Sequence, residues 1–449
     1  MKPGKALMIC YAVVSMSLNS MAQNTPLTLQ QCVETAIANN VDVKTRDFQS
    51  QRERVNAKQG RDNLIPTLNG NIDHNLNTGR SINPYTNAYV EQTYSSATYN
   101  ANTDVTLFNG WRLLNNLKST QYAYEASRME MQQQKDKLML DVILAYLQIL
   151  TNEDLLDQAR KQLAVSSKQV ERLDIMNKEG AIKPADLYDL KGQYADNQLT
   201  ITNIRNNLNA ARLSLAQLMN LPYREDLQVQ KLDAAQFGLD YAASTEDIFK
   251  IALEQLAIIK GVDLRKKSAE KTVASTRGRL APSIGFGAGV NTNFSSLALD
   301  GNDKKIKYYD QLKNNYRLNA GIGINIGILN NWRVRNQLAL DKINLKEAEF
   351  AAQTAHIQLR QNIERDHFNM DASLNKYKVL VDQVSAYTET FRAAEVRFLE
   401  GASTSVDYLI AKNNLDRANI NLIIARYDYV LRTKILDYYQ GKNALVTIR

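Results

Sequence analysis

Four short stretches of the chain alternate apolar and polar residues with a period of two. From Thr67 to Asn77, Leu68, Ile72 and Leu76 fall on one side, and Thr67, Asn69, Asn71, Asp73 and Asn75 on the other. Over 98–108, Tyr99, Ala101, Val105 and Leu107 stand against Thr98, Asn100, Asn102, Asp104 and Thr106. Over 283–294, Ile284, Phe286, Ala288 and Val290 alternate with Ser283, Gly285, Gly287, Gly289 and Asn291. Over 316–328, Leu318, Ala320, Ile322, Ile324 and Ile326 alternate with Arg317, Asn319, Gly321, Gly323 and Asn325. Period two predicts strands. The polar side is Asn, Thr, Ser and Gly, as a wet lumen requires, and each run has the length of a membrane β-strand. His74 and Thr292 interrupt the apolar side. A soluble half-buried sheet has the same period, so the alternation alone leaves both environments open.

Tyrosines at 85, 89, 94, 308, 309 and 316 gather at the loop ends of these strands, and Trp111 and Trp332 at the opposite ends. Aromatic residues suit a lipid–water boundary at both places. Four strands cannot close a barrel by themselves, because an open edge in lipid leaves backbone groups unsatisfied. Closure needs several copies. Three give 12 strands with an open lumen, and periodicity alone also permits a dimer of eight.

Elsewhere the period lengthens. From Asn109 to Glu179 there is no proline and one glycine, Gly110, at the start, and Asn330 to Glu400 is similar. About 70 helical residues span on the order of 105 Å. Leu187, Leu190, Tyr194, Asn197, Ile201, Ile204, Leu208, Ala211, Leu215 and Leu218 step three and four residues apart, as do Tyr408, Ala411, Leu415, Ala418, Leu422 and Ala425. Leu156 to Leu173 and Tyr377 to Ala394 keep the same rhythm. These are heptad seams, and each long helix is expected to pair antiparallel with the one after its tight turn, near Gly180 or Gly401.

The chain is written twice. Arg61-Asp62-Asn63-Leu64-Ile65-Pro66 returns as Arg277-Gly278-Arg279-Leu280-Ala281-Pro282. Phe108-Asn109-Gly110-Trp111-Arg112 returns as Leu329-Asn330-Asn331-Trp332-Arg333, and Lys178-Glu179-Gly180-Ala181 as Leu399-Glu400-Gly401-Ala402, each about 220 residues on. The expected organisation is a leader at 1–22, a first repeat at 23–225 and a second at 226–445. The fold class is mainly α with a small β part, built from duplicated helix–strand–strand–long helix–helix units.

Composition then fixes the compartment. Lys2 and Lys5 precede the apolar run Ala6–Leu18, and Ser20-Met21-Ala22 offers small residues at the two positions a signal peptidase reads, so Gln23 is the expected mature start. The run is too short for a membrane anchor. Cys10 lies in that leader, leaving Cys32 as the only other cysteine, so no intrachain disulfide and no cysteine metal site is expected. Lys and Arg outnumber Asp and Glu by 55 to 47, but they are interspersed without a basic block, which argues for solvated helix faces and against nucleic acid. Three histidines, His74, His356 and His367, are scattered over strand and helix and suggest no nucleophile–base arrangement. Neither Met nor His forms a cluster suited to soft metals.

With these residues in place, the chain resembles the TolC-type outer-membrane efflux proteins over essentially its whole mature length. The matches are Leu29-Gln30-Gln31-Cys32-Val33-Glu34-Thr35-Ala36 with Asn39-Asn40, Leu64-Ile65-Pro66, Leu107-Phe108-Asn109-Gly110, and the hairpin segments Gly180…Asp186 and Gly401…Asp407. The resemblance implies a homotrimer with a 12-stranded barrel in outer-membrane lipid. It also implies a periplasmic coiled-coil tunnel whose tips meet a periplasmic adaptor and an inner-membrane pump. The chain would be a passive duct for drugs, metals or polypeptides, with no cofactor and no catalysis. The rival reading is a purely structural periplasmic coiled coil or an adaptor, although an adaptor needs soluble β-domains for which no strands remain.

At the tips, Asp407 and Asp186 are the candidate constriction ring. Repeated around an axis, such carboxylates favour cations and bind a polyvalent blocker. The local alternative is helix capping. Pro184 suits a first helical position, and Thr404-Ser405-Val406-Asp407 reads as a capping box. Gly180, Ala181, Ile182, Gly401, Ala402 and Ser403 match the segments that meet the adaptor, although glycine at a helix end also serves as a C-cap. A tyrosine and an arginine that tie the closed state in some members align with Phe398 and Ser403, and a second aspartate aligns with Ile410. Closure is therefore expected to rest on hairpin packing.

Overall fold

The computed structural model describes residues 26–82, 86–232, 241–329 and 331–442. The leader, Tyr85 and Asn330 lie outside them. Along the chain run α1 (Leu29–Asn39), α2 (Val41–Asp62), β1 (Thr67–Asn77), β2 (Arg80–Ile82), β3 (Tyr89–Glu91), β4 (Tyr94–Phe108), α3 (Arg112–Lys178) and α4 (Pro184–Leu218). Then follow α5 (Thr245–Gln255), α6 (Ala257–Gly278), β5 (Ser283–Ser295), α7 (Tyr308–Asn314), β6 (Arg317–Asn325), α8 (Arg333–Leu399) and α9 (Ser405–Tyr439).

The duplication extends to helix length. α1 and α5 have 11 residues each, α2 and α6 have 22, α3 and α8 have 67, and α4 and α9 have 35. At 1.5 Å per residue the longest pair measure about 100 Å each. The strand-to-helix turn is copied too. Gly110 and Trp111 have φ of 64° and 61°, and Asn331 and Trp332 have 53° and 58°. Asparagine tolerates the left-handed region where the first copy uses glycine. Gly110 has a second constraint, since a Cβ there would collide with the Gly278 carbonyl.

The chain divides into two compact units. One comprises 1–45, 132–256 and 357–449. Its main core gathers α1 with facing stretches of α3, α4 and α9, including Cys32, Val33, Ala36, Val142, Ile143, Tyr146, Ile149, Leu215 and Val430. α1 begins with a capping box. The Thr28 hydroxyl accepts from Gln31 N at 3.1 Å, and Gln31 Oε1 accepts from Thr28 N at 3.0 Å. The buried Tyr146 hydroxyl donates to the carbonyls of Leu27 (3.1 Å) and Gln230 (2.7 Å), beside the short parallel bridge Leu27–Val229. Further along the α3–α4 seam, Asn197 donates to Ser166, and both are buried. A buried polar pair of this kind fixes the register of two antiparallel helices.

The other unit, 46–131 and 257–356, carries the sheet, whose strand order is β1-β4-β5-β6 and whose pairs are all antiparallel. The register keeps like faces together across four strands. Asn71 lies opposite Asn100, which lies opposite Asn291 and then Arg317. Asn69, Asn102, Gly289 and Asn319 form the next polar row. On the other face, Gly70, Ala101, Val290 and Leu318 align, as do Val105, Phe286 and Ile322. Along the edge strands β1 and β6 that aliphatic face is open. Leu68 is 78% exposed, and Ile72, Leu76, Leu318, Ile322 and Ile324 are exposed with it.

Two strand ends differ from the alternation by several residues, and two more, at Ser295 and Arg317, by one. β4 starts at Tyr94, ahead of Thr98, because β1 supplies partners as far as Asn77. β6 stops at Asn325, ahead of 328, because its last partner is Ser283, and Pro282 before it has no N–H to continue the ladder. Leu107 falls at the irregularity between Thr106 and Phe108, the place of a β-bulge. Among the described residues no helix is long and apolar enough to cross a membrane.

Candidate functional site at the hairpin tips

Each tip is a glycine turn. Gly180 and Gly401 have φ of 72° and 71°, which only glycine adopts cheaply. Ala181 N donates to Met176 O at 2.9 Å and Ala402 N to Arg397 O at 2.8 Å, closing the same Schellman-type cap on α3 and α8. Gly180, Ala181, Gly401 and Ala402 are exposed. Ile182 is half-buried against the tip cluster of Leu173, Leu187, Leu190 and Tyr408. Ser403 is half-buried too, and its hydroxyl has no hydrogen-bond partner. The capping role weighed for the glycines is therefore real, and it leaves their outer surfaces free.

The two aspartates differ. Asp407 is exposed and completes a capping box on α9. Its N–H donates to the Thr404 hydroxyl at 3.2 Å, and its Oδ2 accepts from the Thr404 hydroxyl at 2.8 Å and the Thr404 N–H at 3.2 Å. The Thr404 hydroxyl, then its N–H, holds the Asp407 carboxyl below the usual carboxylate range. Asp186 stands in the first turn of α4 after Pro184, as expected, but the cap residue Lys183 makes no side-chain cap bond. The Asp186 carboxylate instead accepts from the Ser405 hydroxyl at 2.7 Å, across from one hairpin to the other. Ser405 is buried and also approaches Asp189 at 3.3 Å.

The sequence reading missed this link. Two signals carried it. Ser405 lies one seam step before Tyr408, so the heptad rhythm places a hydroxyl on the buried stripe. Asp189 occupies in the first repeat the place that Ile410 takes in the second. Hairpin packing is present as well. Phe398 stacks on Tyr408 with centroids 4.9 Å apart, Phe391 lies at 5.6 Å, and Arg172 donates to Leu399 O at 3.1 Å. Burial pushes the Tyr408 hydroxyl upward, so the ring stays neutral. Beside this packing, the two hairpins of one chain are joined by the serine–carboxylate link. A cavity of about 380 Å³ between these segments is lined by Arg172, Lys183, Asp186, Ser403 and Ser405. Among the described residues no group of three or more His, Cys, Asp or Glu is placed to hold a metal ion.

A four-stranded sheet with a polar and an aliphatic face and helices near 100 Å long are the parts expected of an outer-membrane export channel. A family model described as Outer membrane efflux protein matches the chain twice, over residues 32–221 and 250–438. The chain belongs to the outer membrane efflux protein family, a family of transport channels rather than enzymes. Outer membrane protein TolC of Salmonella enteritidis is 21% identical over 444 residues, covering 98% of this chain and 86% of the relative. TolC of Escherichia coli K12 is 22% identical over 457 residues, covering 100% and 87%. The outer membrane protein VceC of Vibrio cholerae shares the fold, with a TM-score of 0.79 at 14% identity, over 92% of this chain and 96% of that one. The protein is an outer-membrane efflux channel, mainly helical with a small antiparallel sheet.

Proposed function

We propose that three copies of the chain, exported under the direction of residues 1–22, close a 12-stranded barrel and act as the passive exit duct of a tripartite pump. One observation carries this reading. β1 and β6 are the unpaired edges of the sheet, and aliphatic side chains flank both edges in the open. Such edges are untenable in lipid until another copy pairs with them. Residues 23–225 and 226–445 then act as the two repeats of each subunit.

The exposed tip residues Gly180, Ala181, Gly401 and Ala402, with Ile182 and Ser403 beneath them, form the docking surface for a periplasmic adaptor, which hands over substrate from an inner-membrane pump. Asp407 forms the acidic constriction ring. One of its carboxylate oxygens serves the cap, and the side chain is exposed. Asp186 contributes less to the ring because Ser405 engages it. The duct performs no catalysis and holds no cofactor.

The test is single-channel conductance of the detergent-purified oligomer in a planar bilayer, with a polyvalent cation added on each side. Discrete conductance blocked from the tip side by the cation, and no longer blocked in Asp407→Ala, is the expected result. Conductance without that difference would return Asp407 to capping alone. Absence of insertion would favour the structural coiled coil.

A further inference from the structure

At the sheet ends remote from the long helices, the β5–β6 connection builds a small element of its own. The Tyr308 ring of α7 lies 4.5 Å from Phe294, and its hydroxyl is hydrogen-bonded to that of Tyr99. Thr292 Oγ1 donates to Leu312 O at 2.6 Å, and Asn315 Nδ2 donates to Asn293 O at 2.9 Å. Tyr99, Thr292 and Phe294 belong to the aliphatic face, so α7 lies over that face rather than over the polar one. This accounts for Thr292, the polar break in the apolar alternation of β5, whose hydroxyl fastens the element.

Gln311, 1% exposed, completes the attachment. Its amide nitrogen donates to Ser295 O at 3.0 Å and Ile306 O at 2.8 Å, and its oxygen accepts from Ser295 N at 2.9 Å. Outward the element turns Tyr309, 81% exposed, and Tyr316. Lys304, Lys305, Lys307 and Lys313 are exposed as well and have no ion-pair partner among the described residues. Of the nearby acids, Asp300 is occupied in the turn, accepting from the N–H of Asn302 at 2.9 Å and of Lys304 at 2.8 Å. With Asp303 and Asp310 that makes three carboxylates against four lysines, so the balance of charge over 300–316 is positive by one.

We propose that residues 304–316 are a headgroup-binding element that holds phosphate-bearing lipids of the outer leaflet against the barrel wall. Tyrosines at the lipid boundary and unpaired lysines near an anionic surface fit that occupant. The inference rests on the outer-membrane barrel of the preceding section.

The purified full-length oligomer is titrated with a diphosphorylated acylated glucosamine disaccharide and with the same lipid stripped of phosphate. Retention is read by native mass spectrometry. The phosphorylated lipid is retained by the unaltered protein. The combined Lys304→Gln, Lys305→Gln, Lys307→Gln and Lys313→Gln variant, which changes only exposed side chains, binds it at least about tenfold more weakly. The stripped lipid binds both proteins weakly and alike, and millimolar inorganic phosphate does not displace the phosphorylated lipid. Equal retention of the two lipids, unchanged binding by the variant, or displacement by inorganic phosphate alone would overturn the inference. Bilayer conductance of the same preparations separates the two readings. A protein that conducts without phosphate preference sinks only the lipid element, whereas one that never inserts sinks the barrel and the lipid element with it.

Discussion

Asp407 caps α9 through one carboxylate oxygen and leaves the side chain exposed. Hydrogen bonds from Thr404 lower its pKa below the ordinary 3.8. A depressed carboxyl contributes stability that is fully present above its unfolded value and lost as pH falls through its folded value. The α9 tip should therefore keep its first turn at neutral and mildly acid pH and loosen only below about pH 4. Carbon-13 titration of aspartate-labelled protein would place Asp407 below the ordinary 3.8, and Thr404→Val should return it toward that value. An unmoved titration in that variant would show that the cap bond has no hold on the charge. Ser405 makes a separate prediction. Ser405→Ala removes the donor shared by Asp186 and Asp189 and leaves both carboxylates facing the second hairpin. A lost hydrogen bond to a charged partner is worth about 1.5–3 kcal/mol, so the open-to-closed ratio should rise roughly tenfold or more. Single-channel open probability measures it, and an unchanged value would reduce the link to local packing.

At the scale of elements, the main core depends on a few buried anchors. Tyr146→Phe leaves the carbonyl of Gln230 without its donor, while Leu27 O keeps the Gln230 N–H, and should lower unfolding free energy by about 1–3 kcal/mol. Leu190→Ala in the tip cluster should cost about 2–5 kcal/mol. Thermal unfolding in detergent, monitored by helical circular dichroism, ranks the two. Cys32 offers a control. Burial pushes its thiol up to about 12, so it should resist maleimide until the core opens. These elements were largely legible in the chain, because each obeys a period. The four alternations gave the strands to within a few residues, and the seams named the buried stripes of α4 and α9. Strand ends were less legible, since pairing is decided by the partner's length and by Pro282. The seat of α7 was illegible, and the Ser405 link was marked only by its seam position, for a related reason. Both join residues distant in sequence, and a serine or a glutamine announces no partner until the fold brings one within 3 Å.

For the whole molecule the decisive question is how the sheet edges are satisfied. β1 has 11 residues and β6 has 9, close to what a membrane crossing needs, and the aliphatic side chains along them are exposed. If β1 of one copy pairs with β6 of the next, cysteines on those edges come within disulfide range, with Cα separations of about 4.4–6.8 Å. The chain suits the experiment because Cys32 is buried, with its thiol held protonated by that burial. Ile72→Cys would be combined in turn with Leu318→Cys, Ala320→Cys, Ile322→Cys and Ile324→Cys, and oxidised in the outer membrane. One or two of the four pairings should link efficiently and the others poorly, since a ladder has one register. The covalent ladder should stop at three chains, with most of the product closed on itself. A ladder stopping at two would replace the trimer with an eight-stranded barrel whose interior side chains nearly fill, which is incompatible with an open duct. A ladder running on past three would mean that the edges never close, and the polar face of Asn69, Asn71, Asn100 and Asn102 would then line no lumen.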